Sequence, residues 1–121
     1  MSLNQQQRPL YEVKANLFKG LAHPFRIRIL ELLSDAPERS VAELQDATGL
    51  EASHLSQHLS VLRRHRLVTS ERRGSHVFYR LSDPAVARLL GAARELLFGV
   101  LATDGDLLRD ARALPAIGVQ S

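Results

Sequence analysis

The stretch from Ser40 to Arg66, SVAELQDATGLEASHLSQHLSVLRRHR, decides how this chain folds. Ser40 followed by Glu43 is a capping box, in which each side chain satisfies a backbone N–H that a helix start leaves open. It opens a short helix to about Thr48, and Gly49 supplies the stop. Beyond it, Leu55, Leu59 and Leu62 stand at i, i+4 and i+7, the apolar stripe of a second helix. Two helices separated by TGLE make a helix-turn-helix candidate.

The second helix shows what that arrangement is for. With the leucines set inward at about 100° per residue, Ser53, Gln57, Ser60 and Arg64 point away from the core. Ser56 and Arg63 stand beside that row, and His54, His58 and His65 lie on one flank. Small side chains let a backbone approach base edges, Ser and Gln offer hydrogen bonds to them, and Arg neutralises phosphate. This is the chemistry of a groove-reading helix, whose N-terminal residues do most of the reading.

His54 and His58 also stand four apart, as metal ligands on one helix do. HLSQH, however, lacks the glutamate that the zincin pattern HExxH needs as general base, and His65 is nearly two turns beyond His58. The residues favour His54 as a base-edge contact and His58 as a half-buried side chain bonded to a neighbouring backbone group. No metal or other cofactor is assigned. His23, before Pro24, reads as structural, and His76 as facing solvent or phosphate.

Working outward, Leu10, Val13, Leu17, Phe18 and Leu21 sit near helical spacing, predicting a first amphipathic helix that ends near Gly20. In AHPFRIRILELLSD the residues Phe25, Ile27 and Ile29 alternate with arginine as in a strand. Pro24 at a first helical position and the continuing LELL favour helix instead. After the reading helix, LVTSE and HVFYRL flank RRGS and predict a short β-hairpin with a basic tip of Arg72, Arg73, Gly74, Ser75 and His76. Such a tip makes a wing that reaches along a nucleic-acid backbone or into a minor groove. Asp83 and Pro84 then start a long helix. Along it Val86, Leu89, Leu90, Ala93, Leu96, Leu97, Val100 and Leu101 form a stripe wider than so small a core needs, which predicts sharing with a second subunit.

Composition narrows the field. The 121 residues suit one domain, with 45% hydrophobic and 24% charged residues, and there is no cysteine, so disulfides and thiolate chemistry are excluded. Net charge is +3, but its distribution says more: residues 1–30 carry five Lys/Arg against one acid and residues 51–80 six against two, whereas residues 31–50 carry five acids against one arginine. Two basic segments around an acidic one suggest a face for a polyanion. MSLNQQQRPL lacks the features of a signal peptide and no apolar run suffices to span a membrane, so a cytoplasmic protein without membrane association is expected. No Gly-rich phosphate loop, activated nucleophile or paired carboxylate points to an enzyme.

LFKGLAHPFRIRILELL and the run from Ser40 to Leu81, above all LAHPxRIRIL, LSQHLxVLR and RRGSxVxYRL, resemble the ArsR/SmtB family of winged-helix repressors. The likeness runs from about Leu10 to Leu101. It implies a homodimer, joined through the first and last long helices, that binds an imperfect palindrome and releases it with an inducer. It also implies groove contacts at Ala52, Ser53, Ser56, Gln57 and His58, with the wing at Arg72 to His76. The departures are equally informative. Where many relatives sense metal through cysteines, ELQDATG places Gln45 and Ala47. The last long helix has Asp83 at its start and no histidine for an interfacial zinc site, and no cysteine pair exists for redox sensing.

The expectation is therefore a mainly α chain with a small hairpin, a winged helix-turn-helix. Residues 1–9 form a flexible segment, 10–102 the DNA-binding and dimerisation domain, and 103–121 a tail with room for one short helix. Its partners are double-stranded DNA and a second copy, the latter meeting it through Leu10, Val13, Leu17, Leu89, Leu90, Ala93, Leu97 and Val100. A metal-responsive repressor with a non-standard His/carboxylate site and a winged-helix protein-interaction module are the alternatives.

Overall fold

Leu55, Leu59 and Leu62 are each almost wholly enclosed, and the helix that carries them, α4 (Ala52–Arg64), lies against the centre of the core. The computed structural model describes residues 5–102 together with Arg109, Arg112 and Pro115. Before α4 come α1 (Arg8–Leu21), α2 (Pro24–Ser34), a two-residue strand β1 (Arg39–Ser40) and α3 (Val41–Thr48). After it come β2 (Val68–Arg73), β3 (His76–Leu81) and α5 (Pro84–Leu101). The first helix starts two residues before Leu10, and of the short helix expected in the tail only Arg109 and Arg112 are among the described residues, both in helical conformation.

The capping signals work as the residue types require. Ser40 Oγ accepts from the Glu43 N–H at 3.0 Å while the Glu43 carboxylate accepts from the Ser40 N–H at 3.2 Å. Gly49 ends α3 in the left-handed region at φ +70°, where a side chain would be strained. Asp83 accepts from the Ala85 N–H at 2.7 Å to start α5, and His23 Nδ1 accepts from the Phe25 N–H at 3.1 Å to start α2. The strand-like alternation in FRIRI is thus helical, with Ile29 buried and Phe25 and Ile27 exposed.

Two features differ from expectation. The hairpin is part of a three-stranded antiparallel sheet of order β1-β3-β2, in which Arg39 pairs with Tyr79 and Ser40 with Phe78. Two residues are too few to show a period of two, so β1 carries no signal of its own. Arg39 also donates from Nε to the Leu32 carbonyl at 2.7 Å, fastening the end of α2 to the sheet. Second, Leu90 is only 6% exposed and belongs to the chain's own core with Ile29, Leu30, Leu33, Leu44 and Val86. The wide stripe on α5 is divided: its first turns fold inward and the later ones face out.

Candidate nucleic-acid interface

Burying the three leucines forces the rest of α4 outward. Ala52, Ser53, His54, Ser56, Gln57, Ser60, Arg63 and Arg64 are all exposed, which brings every predicted reading-helix residue except His58 to one open surface. Serines and glutamine occupy its N-terminal half and arginines its last turn. Arg63 reaches across to β2, donating to Ser70 Oγ at 3.2 Å, so the cationic end of the helix is tied to the hairpin.

His58 is half-buried and sits apart from that surface. Its Nδ1 is 3.5 Å from the Arg26 guanidinium, and its ring lies 4.4 Å from that of His23. The predicted backbone partner is thus replaced by the side chains of Arg26 on α2 and of His23 that caps it, because α2 starts directly beneath this part of α4. Burial, followed by the nearby His23, Arg26 and His54, lowers the His58 pKa below its ordinary 6.5. The i, i+4 pair does not converge on a third ligand. Among the described residues no group of three His, Asp or Glu side chains could hold a metal ion.

The end of α4 holds a cation that the sequence reading passed over. Arg66 is left-handed at φ 62°, with its N–H on the Arg63 carbonyl and the Leu67 N–H on the Leu62 carbonyl. That is a Schellman closure, in which glycine is the usual residue. Here an arginine takes the strain and stands exposed beside Arg63 and Arg64. A mismatch between conformation and residue type was the available signal, but it shows only once the helix end is known.

The hairpin tip, with Arg73 paired to His76 across Gly74 and Ser75, is exposed. Gly74 is left-handed at φ +62°, the conformation a two-residue hairpin loop requires. Its two arginines are not equivalent. Arg73 pairs with Glu38 and lies 3.8 Å over the Phe78 ring, whereas no hydrogen bond or ion pair among the described residues holds Arg72. Arg72 is the freer cation of the tip, a distinction that two adjacent arginines cannot show in sequence.

On another part of the surface the molecule leaves apolar side chains in the open. Leu10 and Val13 on α1 are 67% exposed, and Leu96 and Val100 on α5 are 69% and 64% exposed. Between these helices and α2 lies a hollow of about 290 Å³ lined by Phe18, Leu21, Ile27, Leu89, Ala93 and Leu97. Glu31 and Arg94, 4.0 Å apart, form its polar edge. Of the predicted dimer contacts, Leu17 is half-buried against the core, Leu90 lies within it, and Phe18 and Leu96 join the exposed face.

Comparison with known proteins agrees with this architecture. Residues 23–70 match the profile described as bacterial regulatory protein, arsR family. The chain is 49% identical over 109 residues to the uncharacterized HTH-type transcriptional regulator Rv0081 of Mycobacterium tuberculosis, covering 89% of this chain and 95% of that one. It is 36% identical over 85 residues to the HTH-type transcriptional regulator YgaV of Escherichia coli, covering 70% and 86%. The crystal structure of Rv0081 superposes with a TM-score of 0.73 at 51% identity, covering 78% of this chain and 95% of that one. The solution structure of the homodimeric winged helix-turn-helix DNA-binding domain Mb0332 from Mycobacterium bovis does so at 0.71 and 30% identity, covering 79% and 88%.

Proposed function

The chain belongs to the ArsR family of bacterial regulatory proteins, and from that premise we propose that it is a sequence-specific DNA-binding transcriptional repressor. It acts as a binding protein rather than an enzyme, as a homodimer on a two-fold symmetric operator. The observation that carries this reading is the division of α4: three leucines buried, and a surface of Ser53, Ser56, Gln57, Ser60, Arg63 and Arg64 exposed. Ser53, His54, Ser56 and Gln57 are assigned to base edges. Arg63, Arg64 and Arg66 serve phosphate, as does Arg72 at the wing. A protein-binding face would carry aromatic or aliphatic anchors, and this one has none.

The dimer reading rests on the exposed apolar residues of α1 and α5. Leaving them in water forgoes roughly 25 cal/mol per Å² of apolar surface, and a second copy removes that cost symmetrically. Two reading helices then enter successive major grooves about 34 Å apart.

The test of the wing is an anisotropy titration of Arg72→Ala and Arg73→Ala against a duplex that the wild type selects. Arg72→Ala lowers affinity and reduces the slope of log K against log salt by about one unit, as loss of one phosphate contact does. Arg73→Ala changes both less, because Glu38 already engages that guanidinium. Unchanged affinity and slope in Arg72→Ala contradict a wing on DNA.

A further inference from the structure

Arg26 lies on α2, outside both exposed faces, and each nitrogen of its guanidinium is engaged. Its Nε donates to the Gly20 carbonyl at 2.8 Å and one terminal nitrogen donates to the Lys19 carbonyl at 3.3 Å. The other terminal nitrogen points to His58 Nδ1 at 3.5 Å. We infer that Arg26 is a positioning residue for DNA recognition: without reaching the nucleic acid, it holds the end of α1 and the middle of the reading helix α4 in one fixed relation. The inference rests on the DNA-reading role of α4 proposed above.

The end of α1 meets α4 at a second place. A Cβ on Gly20 would come within 2.8 Å of His65 Cβ and 2.9 Å of its Cγ, so glycine is what lets the end of α1 seat against the His65 side chain at the end of α4. His58 and His65 are seven residues apart, about 10 Å along the helix at 1.5 Å per residue. One contact would fix a point on α4 and leave it free to pivot. Two contacts that far apart fix its direction. Arg26 supplies the contact nearer the N-terminal half, where the base-reading residues are, so its loss lets that half swing while the end at His65 stays in place.

The chemistry calls for arginine. Three donors at different angles from one planar group reach two carbonyls and a ring nitrogen at once, and a lysine ammonium on a flexible stem does not reproduce that fork. The ring nitrogen can accept only while it is unprotonated, which places the His58 proton on Nε2. The titratable and charged groups around the ring are His23 at the cap of α2, Arg26 of α2 and His54 of α4, and α1 presents the Lys19 and Gly20 carbonyls to the shared guanidinium. No carboxylate is among them, so the His58 ring stays neutral near pH 7 and the contact persists.

The experiment uses the full chain, a duplex selected by the wild type from a random pool, and a scrambled duplex of equal length. Arg26→Met and Arg26→Lys are compared with wild type for affinity on both duplexes across a salt series, with thermal unfolding as the control for folding. For a misaligned reading helix, the folded variants lose about tenfold or more on the selected duplex, the scale of one spoiled base contact. Affinity for the scrambled duplex and the salt slope stay nearly unchanged. In Arg26→Met, His58 followed by NMR titrates at higher pH than in wild type, because an adjacent cation is gone; a purely global loss of stability does not single out that ring. Arg26→Lys, which keeps the charge and the stem, serves if Arg26→Met fails to fold, and shows the same selective loss. Undiminished discrimination in a folded variant overturns the inference, as does a salt slope reduced by about one unit, which would make Arg26 a phosphate ligand. A wild-type chain that selects no sequence overturns the DNA reading itself, a result that needs no variant to recognise.

Discussion

The outward face of α4 and the shared face of α1 and α5 are both open to solvent, yet they are built from opposite materials. The first is hydroxyl, amide and guanidinium, groups that water satisfies at no cost until something better than water arrives. The second is leucine, valine and phenylalanine, which lose free energy for as long as they stay wet. The contrast separates two kinds of partner. In the proposed function the polar face waits for a polyanion and gains affinity by releasing counterions, whereas the apolar face would be completed by a second copy and gain by excluding water.

The largest effect comes from breaking the apolar face. Leu97→Glu with Val100→Glu places two carboxylates on each copy of that surface, and sedimentation should find a monomer. Affinity for a two-site duplex should fall by on the order of 100-fold to 10,000-fold, the loss that follows when two binding events are no longer linked. A variant that remains dimeric contradicts the assignment of this face. On the polar face, Gln57→Ala should cost about 1–3 kcal/mol on the selected duplex with little change on scrambled DNA and an unchanged dimer. Equal loss on both duplexes would mean that the helix does not read bases.

Arg66→Gly sharpens the comparison further, since it removes a cation while relieving the left-handed strain. Stability in urea should rise by roughly 0.5–1 kcal/mol, while the salt slope falls by about one unit if Arg66 meets phosphate. Fold and function then move in opposite directions, as expected of an arginine retained at a glycine position for its charge. The smallest effect is that of pH. Because the folded-state pKa of His58 lies below its ordinary 6.5, the unfolded chain binds this proton more readily. The stability His58 contributes is thus fully present above about pH 6.5 and is lost as the pH falls through and below that value. Unfolding curves of His58→Gln against wild type should separate at neutral pH and converge toward acid.

Wherever one helix or turn carries its own pattern, the sequence was legible. The Leu55, Leu59, Leu62 stripe, the Ser40 and Glu43 box, the cap at Asp83 and the glycine at the hairpin tip each lie within a few residues and report local geometry. Long-range partnerships left no such trace. Arg26 meets His58 across 32 positions and Arg73 meets Glu38 across 35, and periodicity carries nothing over that span. Leu90 shows a subtler limit. Helical spacing places it on the same broad stripe as Leu97, but only the packing of α2 against the first turns of α5 decides which leucine turns inward. The exposed polar row is legible because a buried stripe fixes its opposite face, and so is the half-buried place of His58; its partners, the Arg26 and His23 side chains rather than a backbone group, are not, because a flank depends on the neighbouring helix.

The central claim is that a reading helix and an apolar dimer face act together, and selection of duplexes from a random pool by the purified full-length chain tests it most directly. The expected result is enrichment of a two-fold symmetric sequence whose half-site centres lie about 10 base pairs apart. Enrichment of a single asymmetric half-site, or no enrichment at all, would contradict it.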